Sequence, residues 1–241
     1  MGDVPMSPLL KIEGLTKSYD GMVVVDHVDL EVDAGEFVCI VGPSGCGKTT
    51  LLNLVGGFIP RDGGLLEFDG RSVEKPFKEA VMVFQEFDQL FPWRTLEQNV
   101  SFPLEGSVKD PLQRNKLAGH YIAMMKLEGY ENHYPGALSG GMKQRGAIAR
   151  ALVTSPRMLL MDEPFGSLDA QTKQSLQQSF LQVWEQTGTT VLFVTHDVRE
   201  ALILSDRILV MNRGKITKIY QNEKKGPTEE AVAQITEWLS L

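Results

Sequence analysis

Apolar and polar positions fall into short blocks along this chain, and the texture of those blocks changes twice. The first part reads as strands and turns: LLKIEGLTKSYDG, MVVVDHVDLEVDAG and EFVCIVG, later DGGLLEFDG and AVMVFQ, with Gly/Asp turns between them. KTTLLNLVGGF, which follows EFVCIVG, has helical character. From about Asp88 to Ser155, prolines at 92, 103, 111 and 135 punctuate segments rich in Leu, Lys, Gln and Ala. That stretch predicts a helical insert. Strand signals return in RMLLMD at 157–162, TTVLFVTH at 189–196 and RILVMN at 207–212, with helical stretches at about 170–186 and 197–204 between them. Short apolar strands alternating with helices predict a parallel sheet covered on both faces. In the tail TEEAVAQITEWLSL, Val232, Ile235 and Trp238 or Leu239 share one helical stripe, which predicts packing on its own domain.

Length and charge narrow the function. With 241 residues the chain is one domain, or a core domain with a modest insert, and can bury a sizeable core. A net charge of −7 argues against a phosphate-backbone footprint, so nucleic acid is not an expected partner. Cys39 and Cys46 read as two free thiols of a reduced intracellular protein. MGDVPMSPLL lacks the basic flank and apolar core of a signal peptide. No apolar run approaches the roughly 20 residues that span a bilayer, so a membrane role is expected to come through a partner.

The chemistry concentrates in a few stretches. GPSGCGKTT, Gly42 to Thr50, fits G-x-x-x-x-G-K-[ST] without a mismatch, after an apolar strand and before a helix. Its backbone at Gly42, Pro43, Ser44, Gly45, Cys46 and Gly47 can curl so that N–H groups face phosphates. Lys48 would reach the β- and γ-phosphates, and the hydroxyl of Thr49, followed by Thr50, would hold Mg²⁺. MLLMDEP places Asp162 and Glu163 at the C-terminal tip of a buried strand, where ligands bind in open α/β sheets. Asp162 suits the Mg²⁺ shell, and Glu163 suits the general base that takes or orients the attacking water. VLFVTHD delivers His196 to a strand tip in the same way, a position that an ordinary edge residue also occupies. Gln85 ends AVMVFQ as a further polar group at a strand terminus, and Tyr19 offers a ring face in a turn. LSGGMKQR, Leu138 to Arg145, is a second Gly-rich helix entry and a second anion-site candidate.

Tyr19, GPSGCGKTT, Gln85, LSGG, MLLMDEP, SLD at 167–169 and His196 occur in the order and approximate spacing of ATP-binding-cassette (ABC) ATPases, which the chain resembles from about Leu9 to Asn212. The resemblance implies an α/β P-loop NTPase fold: a RecA-like core with an antiparallel β-subdomain and an inserted helical subdomain. It places the core at 1–86 and 157–241 and the helical signature subdomain at 87–156. By the same resemblance Tyr19 stacks on adenine, and Gln85 contacts Mg²⁺ and the water while linking them to the helical subdomain. Asp162 and Glu163 match the Walker B pair, Asp169 the D-loop, and His196 the switch that senses the γ-phosphate. Ser139, Gly140 and Gly141 match the signature that contacts ATP held by an opposite subunit. The family usually writes LSGGQ, and here position 142 is Met, whose side chain donates no hydrogen bond.

The resemblance extends to a branch. LFPWRTLEQNV at 90–100 is similar to the stretch that follows the Q-loop in ATPases of nitrate, sulfonate, taurine and related importers. It implies a peripheral ATPase subunit at the cytoplasmic face of the cell inner membrane, using ATP and Mg²⁺. Its implied partners are a second ATPase subunit in an ATP-dependent homodimer, transmembrane permease subunits around Phe91 and Trp93, and indirectly a periplasmic or lipid-anchored solute-binding protein. Both aromatics also suit the core of the helical subdomain. Two other readings stay open on the residues: a soluble ABC ATPase of DNA repair or translation, and a P-loop kinase.

Overall fold

The computed structural model describes residues 7–86, 89–223 and 226–240. In chain order its elements begin with strands β1 (Leu10–Tyr19), β2 (Met22–Val32) and β3 (Phe37–Val41), helix α1 (Lys48–Val55), and strands β4 (Gly63–Phe68), β5 (Arg71–Ser72) and β6 (Ala80–Val83). Helices α2 (Leu96–Ser101), α3 (Pro111–Met124) and α4 (Gly140–Leu152) follow, then β7 (Met158–Asp162), α5 (Ala170–Thr187), β8 (Thr190–Thr195) and α6 (Val198–Leu204). Strands β9 (Arg207–Asn212) and β10 (Lys215–Gln221) and helix α7 (Glu229–Ser240) close the chain. The residues divide into two compact units, one running to Ala80 and resuming at Thr190, the other Val81–Thr189.

The first unit holds an antiparallel sheet in the order β2-β1-β4-β5 and the strands β10-β9-β3-β8. β3 runs parallel to β8 and β9, while β10 pairs antiparallel with β9. All five residues of β3 and all six of β8 are buried, as strands covered on both faces must be. Helix α6 packs on β3 and β8, and α7 packs on α6 and β9. Ala231 and Ile235 are buried, and the Trp238 ring meets that of Tyr220 at 6.3 Å. The predicted stripe of α7 therefore does face its own unit. β1 and β2 join through Asp20 (φ 48°) and Gly21 (φ 81°), the two positive-φ residues of a tight hairpin turn.

The second unit pairs β6 with β7 and packs α2, α3 and α4 on one another and α4 on α5. α2 opens with a capping box, Thr95 accepting from the Gln98 amide and Gln98 accepting from the Thr95 amide. Buried Arg145 ties α4 to its surroundings, donating to the Met125 carbonyl and to the hydroxyls of Ser179 and Ser175 at 3.0 Å each.

The pattern did not announce two strands. β5 is only two residues long, and β10 carries Lys215 and Lys218 on an exposed edge, where charge guards against stray pairing. β10 also makes that end of its sheet antiparallel. Gln85 lies two residues past the end of β6 rather than at its last position.

Candidate active site

Each unit carries part of the predicted chemistry. In the first, the phosphate-loop sequence turns from β3 into α1. Gly45 and Gly47 take φ of 77° and 107°, conformations open to glycine and strained for other residues. Gly47 has a second constraint: a Cβ there would stand 2.4 Å from the Val24 carbonyl oxygen of β2. Being glycine, this N-cap offers no side chain to the first N–H groups of α1. The Lys48 ammonium folds back over the loop, donating to the carbonyls of Gly42 at 2.8 Å and Pro43 at 3.0 Å. Thr49 is exposed, and Lys48 is buried. The set fits a polyphosphate: an uncapped helix start, a tight backbone curl, and a cation held by neutral carbonyls. Thr49 adds a hydroxyl of the kind that ligates Mg²⁺.

The loop is also braced by a turn that the sequence pattern did not single out. Gly214, between β9 and β10, donates its N–H to the Cys46 carbonyl at 3.0 Å and accepts from the Asp26 amide at 2.9 Å. The signal was present as an Arg-Gly pair between two strand-like runs, and it was hidden because β10 was not recognised. Cys46 itself is buried at 6% exposure, and burial raises its thiol above the ordinary value. Cys39 is fully buried on β3, with its thiol pushed well up for the same reason. Cys46 thus contributes backbone to the loop while its thiol is packed away from solvent.

Tyr19 ends β1 at 46% exposure, its ring available for stacking and flanked by the Lys17 ammonium 5.4 Å from the centroid. His196 is exposed immediately after β8. The flanking residues fix it. Asp197 caps α6 by accepting from the amides of Arg199 and Glu200, and the Thr195 hydroxyl donates to Glu200. A buried strand and a capped helix therefore fix the main chain from which His196 projects.

In the second unit Asp162 is the last residue of β7, and Glu163 follows with φ 45°. A non-glycine in the left-handed region is uncommon, and backbone strain of this kind concentrates at functional sites. The Glu163 carbonyl accepts from the Gly166 amide at 3.0 Å, closing the turn. Around Gly166 the Gln85 amide nitrogen and a Glu163 carboxylate oxygen both gather: a Cβ added there would lie 3.3 Å and 3.6 Å from them. The structure thus brings Gln85 and Glu163 to one place. Asp169 caps α5, accepting from the Thr172 amide at 3.0 Å, and the Thr172 hydroxyl and amide hold its carboxyl below the usual carboxylate range.

Ser139 caps α4, its hydroxyl accepting from the Met142 amide at 3.3 Å. Gly140 and Gly141 are the first two residues of that helix. Gly141 is required by packing as well, since a Cβ there would fall 2.4 Å from the Thr172 methyl. In the same unit, Trp93 is 71% exposed and stacks on half-buried Phe91 at 5.4 Å. Phe91 meets Phe102 edge-on at 4.9 Å, and the Arg94 guanidinium lies 4.6 Å from the Phe102 ring. Of the two aromatics, Phe91 is partly core and Trp93 is surface.

The family model for ABC transporters matches residues 25–166. The chain belongs to the ABC transporter family. An aliphatic sulfonates import ATP-binding protein of Bacillus cereus is 41% identical, aligned over 94% of this chain and 92% of its own. An uncharacterized ABC transporter ATP-binding protein of Methanocaldococcus jannaschii is 42% identical over 97% of this chain and 89% of its own. Among solved structures, a dimeric ATP-binding cassette in a post-hydrolysis state, bound to ADP and Pi, superimposes with TM-score 0.79 at 33% identity, covering 89% of this chain and 99% of that one. The cbiO1 protein of Clostridium perfringens, part of the ABC transporter complex cbiONQ, gives TM-score 0.85 at 25% identity over 97% and 96% of the two chains. This ABC cassette is a P-loop NTPase and an ATPase, binding ATP with Mg²⁺. Among the described residues no helix is long and apolar enough to cross a membrane.

Proposed function

We propose that this ABC cassette is the ATP-hydrolysing subunit of an importer for aliphatic sulfonates, peripheral to the cytoplasmic face of the inner membrane. The observation that carries the reading is the 41–44% identity to sulfonate-import ATP-binding proteins of Bacillus over 85–94% of the chain. Nitrate and taurine belong to the wider solute class suggested by LFPWRT. The exposed Trp93, on its platform of Phe91, Phe102 and Arg94, suits an apolar contact with a permease subunit, and a solute-binding protein would act through that permease.

In the hydrolytic cycle the residues divide the work. The loop amides from Ser44 to Thr50 and the Lys48 ammonium would hold the phosphates, and Tyr19 would stack on the base. Thr49, Asp162 and Gln85 would hold Mg²⁺, which supplies charge neutralisation at the phosphates. Glu163 would orient and deprotonate water, with His196 at the γ-phosphate. Ser139, Gly140, Gly141 and Asp169 would complete the site of a second copy. The nucleotide core would comprise 1–86 and 157–241, and the helical signature subdomain 87–156. Domain closure around two nucleotides would then drive the permease.

The test is uptake. A strain lacking its own sulfonate-import ATPase, supplied with this chain and its permease, should regain growth on an alkanesulfonate as sole sulfur source. Restored nitrate uptake with no sulfonate uptake would overturn the solute assignment, and ATP turnover that never couples to any permease would overturn the importer.

A further inference from the structure

Helix α4, which starts at the Ser139 signature, also holds the chain that leads into Gln85. Past the end of β6, Phe84 no longer has a strand partner of its own, and the side chain of Gln89 takes that part. Gln89 Oε1 accepts from the Phe84 amide at 3.0 Å, while Gln89 Nε2 donates to the Phe84 carbonyl at 2.7 Å and the Glu86 carbonyl at 2.6 Å. A backbone N–H needs an acceptor and a carbonyl needs a donor, so these partners fix which way the amide faces.

Gln144, the fifth residue of α4, is fully buried. Its Nε2 donates to the same Phe84 carbonyl at 3.2 Å, and its Oε1 accepts from Gln89 Nε2 at 3.4 Å. One turn and a half further along, Arg150 donates to the Gln89 carbonyl at 2.7 Å and lays its guanidinium 5.5 Å from the Phe91 ring. A buried amide that meets another amide and a backbone carbonyl is costly to replace, because each partner would be left unsatisfied.

We propose that Gln89 and Gln144 form a side-chain staple that fixes the backbone at Phe84–Glu86 to α4, making both of them positioning residues for Gln85. The nucleotide contact read by Gln85 and the helix that carries the signature are then mechanically one piece. This rests on the role proposed above for Gln85 in Mg²⁺ and water handling.

The test uses the full chain. Gln89→Leu and Gln144→Leu should each lower ATPase kcat about tenfold, the cost of roughly one lost buried hydrogen-bond partner, with the KM for ATP changed by less than about twofold. Gln89→Glu, which keeps the acceptor for Phe84 and loses the donors, should behave like Gln89→Leu. If Gln144→Leu does not fold, half-exposed Gln89 carries the experiment alone. In a Gln85→Ala background either change should cost nothing further, because each acts through Gln85. An undiminished cost in that background marks a purely structural role and overturns the proposal. Amide exchange at Phe84, whose N–H is held by Gln89 Oε1, should quicken in Gln89→Leu, and unchanged exchange there also overturns the staple. If Gln85→Ala alone leaves kcat intact, the role assigned to Gln85 fails, and the exchange rates still decide the staple separately.

Discussion

Two glycine-rich helix entries in this chain look alike in sequence and are built differently. At the phosphate loop, Gly45 and Gly47 sit at positive φ, α1 starts from a residue with no capping side chain, and Lys48 lies across the loop's own carbonyls. At the signature, α4 supplies its own cap from Ser139, and Gly140 and Gly141 are ordinary helical residues. The first entry is a tight curl whose N-cap has no side chain to offer. The second is a helix N-terminus capped by a side chain, whose Gly141 gives room to Thr172. On the reading proposed above, the first entry would hold the chain's own nucleotide and the second would meet one brought by another subunit.

Breaking the hydrolytic machinery while sparing the loop gives the largest expected effect. Glu163→Gln should keep ATP binding, because the loop is untouched, and lower turnover by about 10²–10⁴-fold, the usual worth of a general base. Retention of ATP-bound dimer on size-exclusion chromatography would accompany the loss. Turnover near the wild-type rate would remove Glu163 from the role of base.

The comparison sharpens at the two glycines. Gly47→Ala puts a methyl against a main-chain carbonyl at a φ of 107°, where no side-chain trimming can help. ATP affinity should collapse and stability should fall by more than about 1 kcal/mol. Gly141→Ala meets only the tip of Thr172, so it should cost about 1–3 kcal/mol by overpacking. Thr172→Ser removes that methyl while keeping the hydroxyl beside Asp169, and should recover most of the loss in thermal denaturation. If Thr172→Ser rescues nothing, Gly141 is needed for something other than packing.

These differences also show where sequence reading stops. The apolar runs FVCIV, MLLMD and TVLFVT were legible as buried strands because burial on both faces leaves no polar alternation. The roles suggested at their C-terminal tips followed from that placement. The left-handed turn at Glu163 was not legible, since Asp-Glu-Pro carries no local signal for positive φ and the turn is closed by Gly166 further on. β10 was missed because Lys215 and Lys218 on an edge strand read as surface loop. Gln144 was passed over for the opposite reason: a glutamine in a Lys-Gln-Arg run reads as solvated, and only tertiary pairing with Gln89 and Phe84 explains its complete burial.

Cysteine chemistry offers a smaller effect at the same loop. Burial raises the Cys46 thiol, so at neutral pH it stays protonated and the reactive thiolate is scarce. Iodoacetamide should modify native protein slowly at pH 7, and faster both as pH rises toward the elevated value and when the chain is unfolded. Rapid modification of native protein at pH 7, read by mass spectrometry, would place the thiol outside the packed loop.

The smallest effect is expected at the residue where the signature departs from its family. Met142 uses its backbone N–H to bond Ser139, and that bond is indifferent to the side chain. Met142→Gln should leave α4 capped and the Gly140–Gly141 backbone in place, with ATPase activity within about twofold of wild type, below the roughly 1.4 kcal/mol that a tenfold change would need. The comparison makes the point of the experiment: if the signature works through a capped helix start, its side chain at 142 is free to vary. A gain well beyond twofold, together with tighter ATP-dependent dimerisation, would mean that the capped helix end is only half of the contact and that the amide supplies the rest.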